Sequence, residues 1–241
     1  MAAKKHKPNR QIFAFGGGGF SMEPENPLLD DYLLSFARVP KPKICFIPTA
    51  SGDSENYCLR FFSAFARKNC APDFLPLFQR KTYDLRSFIL EQDILFVGGG
   101  NTANLLAIWR THGLDKILRQ AYEKGVILSG ISAGSLCWFS GGVTDSFGPK
   151  LALLDDGLGF LKFSNCPHYD GEPQRRPTYQ RLIREGLRAG YAADDGCALH
   201  FIDGKLKRVI TSRPNAAGYH VLFKNGNLVE RKLEAVYLGS L

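Results

Sequence analysis

Short apolar runs alternate with longer amphipathic segments through the first half of the chain. Residues 12–15, 43–48, 74–77, 94–97 and 126–128 have the length and the aliphatic and aromatic content of buried parallel strands. Between them lie helical patterns. Leu28, Tyr32, Leu33 and Phe36 repeat at helical spacing over residues 27–38, with Asn26 as cap and Pro27 in the first turn. Ser54 opens a helix reaching about residue 69, with Phe61, Phe62, Phe65 and Ala66 on its apolar face. Further helices follow over residues 84–90, after residue 102 (Leu105, Leu106, Trp109), over 114–123 and over 177–187. Such strand–helix alternation predicts an α/β fold, a parallel doubly wound sheet with helices on both faces. The C-terminal third changes period. Residues 197–202, 206–212, 219–224 and 228–232 read as short strands, joined at Asp203-Gly204 and Asn225-Gly226, which are hairpin dipeptides. They predict an antiparallel extension packed on one domain covering residues 11–241, after a basic tail over residues 1–10.

Chemistry gathers at the carboxyl ends of strands in such sheets. The run at 126–128 leads into Gly130-Ile131-Ser132-Ala133-Gly134, and apolar residues resume at Leu136 as in a helix. This is the G-x-S-x-G pattern of a nucleophile elbow, a tight strand-to-helix turn that exposes a serine hydroxyl. An ordinary Gly-Ser turn carries the same five residues, so the surroundings decide. The strand at 94–97 stops at Gly98-Gly99-Gly100-Asn101-Thr102 on the same sheet edge. Backbone N–H groups of Gly99 or Gly100, with that of Ala133 just after the serine, are the expected donors to an acyl-transfer oxyanion. The glycine run at 16–19 is not followed by the spacing or the acidic residue of a dinucleotide site, and it predicts close approach to a neighbouring segment instead.

Composition narrows the class. The 241 residues are 44% hydrophobic and 22% charged, as in an ordinary soluble globular protein. The net charge of +8 is partly terminal, with Lys4, Lys5, Lys7 and Arg10 in the first ten residues. No aromatic–basic interleaving accompanies it, so nucleic acid is not an expected partner. No 18-residue apolar run exists, so no membrane span is expected. Six scattered cysteines, none in C-x-x-C pairs, read as reduced core thiols of a cytoplasmic protein. No metal-ligand spacing appears, and neither a metal nor an organic cofactor is expected. A homodimer is compatible with the sequence, which does not fix the oligomeric state.

A serine nucleophile needs a base and a group that orients the base. Of five histidines, His200 and His220 fall in strands, His112 in a helix-linking turn and His6 in the basic tail. His168, in the loop Pro167-His168-Tyr169-Asp170 downstream of the serine, is the favoured base. Three ordered motifs, Gly98 to Thr102 with Leu105-Leu106, Gly130 to Gly134, and Asn165-Cys166-Pro167-His168-Tyr169, resemble the peptidase E family, which contains alpha-aspartyl dipeptidase and is related to cyanophycinases. The resemblance implies a Rossmann-like three-layer sandwich similar to class I glutamine amidotransferases. It further implies a serine peptidase in which Ser132 is nucleophile and His168 base and acid, acting through an acyl-enzyme on Asp-Xaa dipeptides. A cyanophycinase-like or other amide hydrolase, or a catalytically silent binding protein, is the rival. The triad acid is Asp195 or Asp145; the resemblance offers both positions. An aspartyl carboxylate calls for a guanidinium fork. Arg175 and Arg176 are the candidates, against the alternative that both simply sit on a solvated loop.

Overall fold

Strands β1 (Gln11–Phe15), β2 (Lys43–Ile47), β3 (Ala71–Phe74), β4 (Ile94–Val97) and β5 (Ile127–Ile131) form the centre of the protein. In the computed structural model, which describes residues 9–80, 82 and 84–240, they pair in parallel in the order β1-β5-β4-β2-β3. Successive side chains of a strand point to opposite faces, and the packing follows that period of two. Phe13, Phe15, Ile44, Phe46, Ile94 and Phe96 pack with Phe20 of α1 (Gly19–Met22), Leu29 and Leu33 of α2 (Leu28–Leu34), and Phe61 and Phe65 of α3 (Glu55–Phe65). Their neighbours Ile12, Ala14, Cys45, Ile47, Leu95 and Val97 face the other way. There they meet α4 (Leu85–Leu90), α5 (Thr102–Thr111) and α6 (Leu114–Lys124), through residues such as Ile89, Trp109 and Leu118. Burying each large side chain of this kind stabilises the fold by about 1.5–3 kcal/mol.

The antiparallel C-terminal strands form, but they divide between two sheets. β10 (Cys197–Ile202), β11 (Lys205–Thr211) and β14 (Val236–Tyr237) continue the first sheet beyond β1, bringing it to eight strands among the described residues. β9 (Gly190–Ala193), β12 (Gly218–Lys224) and β13 (Asn227–Lys232) instead join β6 (Phe139–Thr144), β7 (Ala152–Leu154) and β8 (Leu161–Cys166). The second sheet runs β13-β12-β9-β8-β6-β7. Its Phe139, Leu154, Leu161 and Ala193 share the apolar cluster of α4, α5 and α6, whereas Val143, Cys166, Ala192 and Val221 pack against α8 (Arg175–Arg184).

Two expectations are corrected. The pattern Gly141-Gly142-Val143-Thr144-Asp145 predicts a turn-rich loop, but most of it lies in strand β6; its glycines serve the close approach of β7 and β8, since a Cβ at Gly142 would lie 1.9 Å from Asn165 O. The helix after the elbow, α7 (Ala133–Leu136), lasts one turn because the apolar residues behind it continue into β6. The basic tail lies outside the described residues except for Asn9 and Arg10, and Arg10 is held in place, bonded to Asp203 (3.0 Å) and Glu123 (3.1 Å). Both hairpins have positive φ at their two central residues (Asp203 50°, Gly204 77°; Asn225 53°, Gly226 77°), which suits the twist of the flanking strands.

Candidate active site

At the carboxyl end of β5 the backbone folds sharply at Ser132, which adopts φ 57° and ψ −115°. A non-glycine residue there costs on the order of 1–3 kcal/mol and persists only where its surroundings impose it. The flanking glycines impose it. A Cβ at Gly130 would lie 2.3 Å from Gly134 O, and one at Gly134 would lie 2.2 Å from Val97 O. No side chain fits at either position, so the turn packs backbone against backbone. Ser132 Oγ makes no hydrogen bond among the described residues.

The glycine run beyond β1 is the seat of the site. Ser132 N–H donates to Phe15 O (3.3 Å), His168 N–H to Gly16 O (3.1 Å) and Gly196 N–H to Gly17 O (3.1 Å). Three successive carbonyls thus hold the elbow, the histidine loop and the residue after Asp195. The close approach predicted for this run is present: a Cβ at Gly17 would lie 2.0 Å from Asp195 Oδ1.

His168 has φ 54° and places its Nδ1 2.6 Å from Asp195 Oδ1. Their side chains are only 13% and 12% exposed, so little water competes for that contact. Asp195 is fixed in turn by its own N–H, which donates to Asp170 Oδ1 at 2.8 Å. Behind the histidine, Tyr169 donates its hydroxyl to Glu230 Oε2 of β13 (2.5 Å), and Gln180 and Arg176 donate to the same carboxylate. Burial alone would raise the Glu230 carboxyl, but these hydrogen bonds hold it below its ordinary value.

The candidate acids and arginines separate. Asp145, at the end of β6, is away from His168 in its contacts and faces Arg175, whose Nη2 lies 3.5 Å from Asp145 Oδ2. Arg175 is buried and forked onto Glu172, with Nε at 2.6 Å and Nη2 at 3.2 Å from its two oxygens. Gly100, Asn101, Ser132, Asp145, Glu172 and Arg175 line one cavity of about 340 Å³. Arg176 lies outside it, paired with Glu230 and stacked over Tyr169 and Tyr219 at 5.3 and 5.2 Å. Among the three backbone donors, Gly99 N–H is engaged by Tyr57 Oη (3.2 Å), whereas those of Gly100 and Ala133 donate to no described residue. A larger cavity of about 510 Å³, lined by residues that include Ser140, Phe163, Leu182 and Arg188, holds none of the candidate residues.

Sequence reasoning passed over Glu172 and Tyr57. Glu172 had a signal, the i, i+3 spacing to Arg175; Tyr57 had none, since it looks like one more apolar residue of α3. Among the described residues, no group of three or more His, Cys, Asp or Glu side chains could hold a metal ion, and no helix is long and apolar enough to cross a membrane.

Known proteins resemble this chain. A protein of Bacillus subtilis strain 168, named uncharacterized peptidase YgaJ, is 53% identical over 231 residues, covering 95% of this chain and all of that one. Peptidase E of Streptomyces coelicolor is 29% identical over 160 residues, 60% of either chain. The crystal structure of a peptidase from an acI-B1 actinobacterium superposes with a TM-score of 0.67 at 19% identity, over 95% of this chain and 96% of that one, a likeness of fold. The family model of peptidase family S51 matches residues 12–209, from β1 into β11 and so across every candidate residue. This chain belongs to peptidase family S51, and it is a serine-type peptidase.

Proposed function

We propose that the peptidase works through Ser132, His168 and Asp195, and that short peptides beginning with aspartate are its substrates. The observation that carries the triad is the 2.6 Å contact of His168 Nδ1 with Asp195, on a loop seated one carbonyl away from the elbow. Asp195 accepts a hydrogen bond from Nδ1–H, which fixes the tautomer and leaves Nε2 as the base. Ser132 Oγ attacks the scissile carbonyl while its proton passes to Nε2, a contact that closes with substrate in place. The N–H groups of Gly100 and Ala133 meet the developing oxyanion. The C–N bond then breaks, the leaving amine takes the proton from Nε2, and water repeats the sequence to release the acid.

The aspartyl preference rests on Arg175, among the described residues the one cation lining the cavity that Ser132 also lines. Its fork already holds Glu172, so a substrate carboxylate must use the remaining N–H groups or displace that partner. The six cysteine thiols, all buried and none in a disulfide, support a cytoplasmic location.

Hydrolysis of a panel of Asp-Xaa, Glu-Xaa and neutral dipeptides by the wild type and Ser132→Ala tests both parts. Cleavage of Asp-Xaa alone is expected, with a loss in the variant of at least about 10⁴-fold. Activity that survives in the variant removes Ser132 from the mechanism. Cleavage of neutral dipeptides only keeps the nucleophile and discards the carboxylate pocket.

A further inference from the structure

The loop Gly98-Gly99-Gly100 carries one of the two backbone donors proposed for the oxyanion. Three glycines in a row have the widest conformational freedom a chain can have, so something around them must fix their peptide planes. A Cβ at Gly98 would stand 3.0 Å from the rings of both Phe46 and Tyr57, and one at Gly100 would stand 2.1 Å from Ala50 O. Asn101 N–H donates to the same Ala50 carbonyl at 2.8 Å. On the other side, Gly99 N–H donates to the phenolic oxygen of Tyr57 at 3.2 Å. The peptide unit between these two anchors carries the Gly100 N–H, which donates to no described residue and belongs to the wall of the Ser132 cavity.

Tyr57 is itself held in place. It is buried on α3, in an apolar cluster otherwise filled by phenylalanines such as Phe20, Phe46, Phe61 and Phe65. A hydroxyl in such surroundings is costly unless it finds hydrogen-bond partners. This one has two. Besides accepting Gly99 N–H, it shares a 2.6 Å hydrogen bond with Ser21 Oγ of α1, just behind the glycine seat of the site. Arg60 stands 4.8 Å over the tyrosine ring and donates to Ser21 O at 3.1 Å, tying the two residues together. Burial pushes the phenol above its ordinary value, so its proton stays on and remains available to Ser21. A hydrogen-bonded line thus runs from Ser21 through Tyr57 to Gly99.

We infer that Tyr57, held by Ser21, is a positioning residue for the reaction: its hydroxyl fixes the Gly99–Gly100 peptide so that the Gly100 N–H is aimed at the oxyanion. The inference rests on the proposed nucleophile and oxyanion donors. It goes beyond them by making the rate depend on a side chain outside the cavity that Ser132 lines. A donor set in advance stabilises developing charge with no reorganisation at the moment of reaction. Without the hydroxyl, Gly99 N–H loses its partner and the plane before Gly99 is free to turn toward another acceptor. The plane that carries Gly100 N–H turns with it. The ionic groups of the cavity keep their contacts with bound substrate, so the loss falls on kcat and not on KM.

Tyr57→Phe keeps the ring and removes the hydroxyl, and Ser21→Ala removes its partner. Both variants and their combination are compared with wild type in kcat and KM on the best peptide of the panel. Affinity for the aldehyde analogue of that peptide, whose adduct with the serine carries the oxyanion, and urea unfolding are measured alongside. Tyr57→Phe is expected to lower kcat by about 10- to 100-fold with KM within about twofold, and to weaken the aldehyde by the same factor as kcat. Ser21→Ala should give a smaller loss of the same kind, and the double variant should lose no more than Tyr57→Phe alone. Unchanged kcat in Tyr57→Phe overturns the inference. So does a lower urea midpoint with kcat and aldehyde affinity intact, the mark of a merely structural role. Losses that add in the double variant overturn the line through Ser21. If Tyr57→Phe does not fold, Ser21→Ala decides by the same readouts: kcat and aldehyde affinity falling together support the inference, and both unchanged overturn it. Wild type that the aldehyde inhibits, with variants that match it, keeps the serine mechanism and removes the inference alone. Activity that survives Ser132→Ala removes the nucleophile, and the inference with it.

Discussion

The two sheets contribute to one site by different physical means. The first sheet supplies the elbow and the glycine seat, where backbone packs on backbone and the tolerance is a fraction of an ångström. A Cβ at Gly134 would stand 2.2 Å from Val97 O. The second sheet and its loops supply the ionic groups, His168 after β8, Asp145 at the end of β6 and Arg175 at the start of α8. There the determinants are pairings between side chains far apart in sequence, such as Tyr169 with Glu230. Position is set by steric exclusion on one side and by hydrogen bonding and charge on the other. A single methyl group should damage the first, and a single charge the second.

The largest expected effect is on the ionic side. Asp195→Asn should lower kcat on the order of 10³–10⁴-fold, because an amide can donate to Nδ1 and stabilises the wrong tautomer. Steady-state rates on the best peptide of the panel, set beside Asp145→Asn, measure it. If Asp145→Asn costs more than Asp195→Asn, the assignment of the two acids is reversed.

On the steric side, Gly134→Ala should destabilise the protein by about 1–3 kcal/mol or more, since Val97 belongs to the central strand β4 and has nowhere to move. Asp145→Asn, half-exposed on the other sheet, should stay within about 0.5 kcal/mol of wild type. Urea unfolding of both variants checks the contrast, and equal midpoints would sink it.

The smallest effect concerns two buried titratable groups beside β1. Asp30 of α2 accepts Phe20 N–H at 2.8 Å, its other oxygen has no hydrogen-bond partner among the described residues, and burial pushes its carboxyl from 3.8 up to about 7. The folded state keeps that proton over an interval in which the unfolded chain has lost it, so the contribution of Asp30 falls as pH rises from about 4 to 7. His200 of β10, stacked on Phe13 with centroids 3.9 Å apart, is lowered from 6.5 to about 4, by burial first and then by Arg208. It is neutral when folded, the unfolded chain takes up its proton more readily, and its contribution is lost as pH falls through that interval. The two trends oppose each other between about pH 4 and 6.5. Asp30→Asn should therefore leave a Tm that rises with pH across the interval, by about 2–4 °C for each kcal/mol uncovered. Parallel Tm profiles for wild type and variant would refute this coupling.

What the sequence determined by itself was whatever follows from local pattern. Buried parallel strands announce themselves as apolar runs because both faces are covered, and β4 is found at residues 94–97 as its pattern predicts. The elbow is legible because the backbone demands glycine at Gly130 and Gly134 within five residues of chain. His200 was legible as a strand residue, and the fold buries it. Beyond that, tertiary structure decided. β6 could not be told from a turn, since its glycines answer to strands that arrive later in the chain. Neither could the sequence divide β9 to β13 between two sheets, because hairpin signals fix a strand's neighbour in sequence and not the sheet it joins. Asp195 and Asp145 were indistinguishable as letters. Only the fold brought Asp195 to His168 and gave Asp145 to Arg175, since a carboxylate's role is set by the charge that long-range packing places within a few ångströms of it.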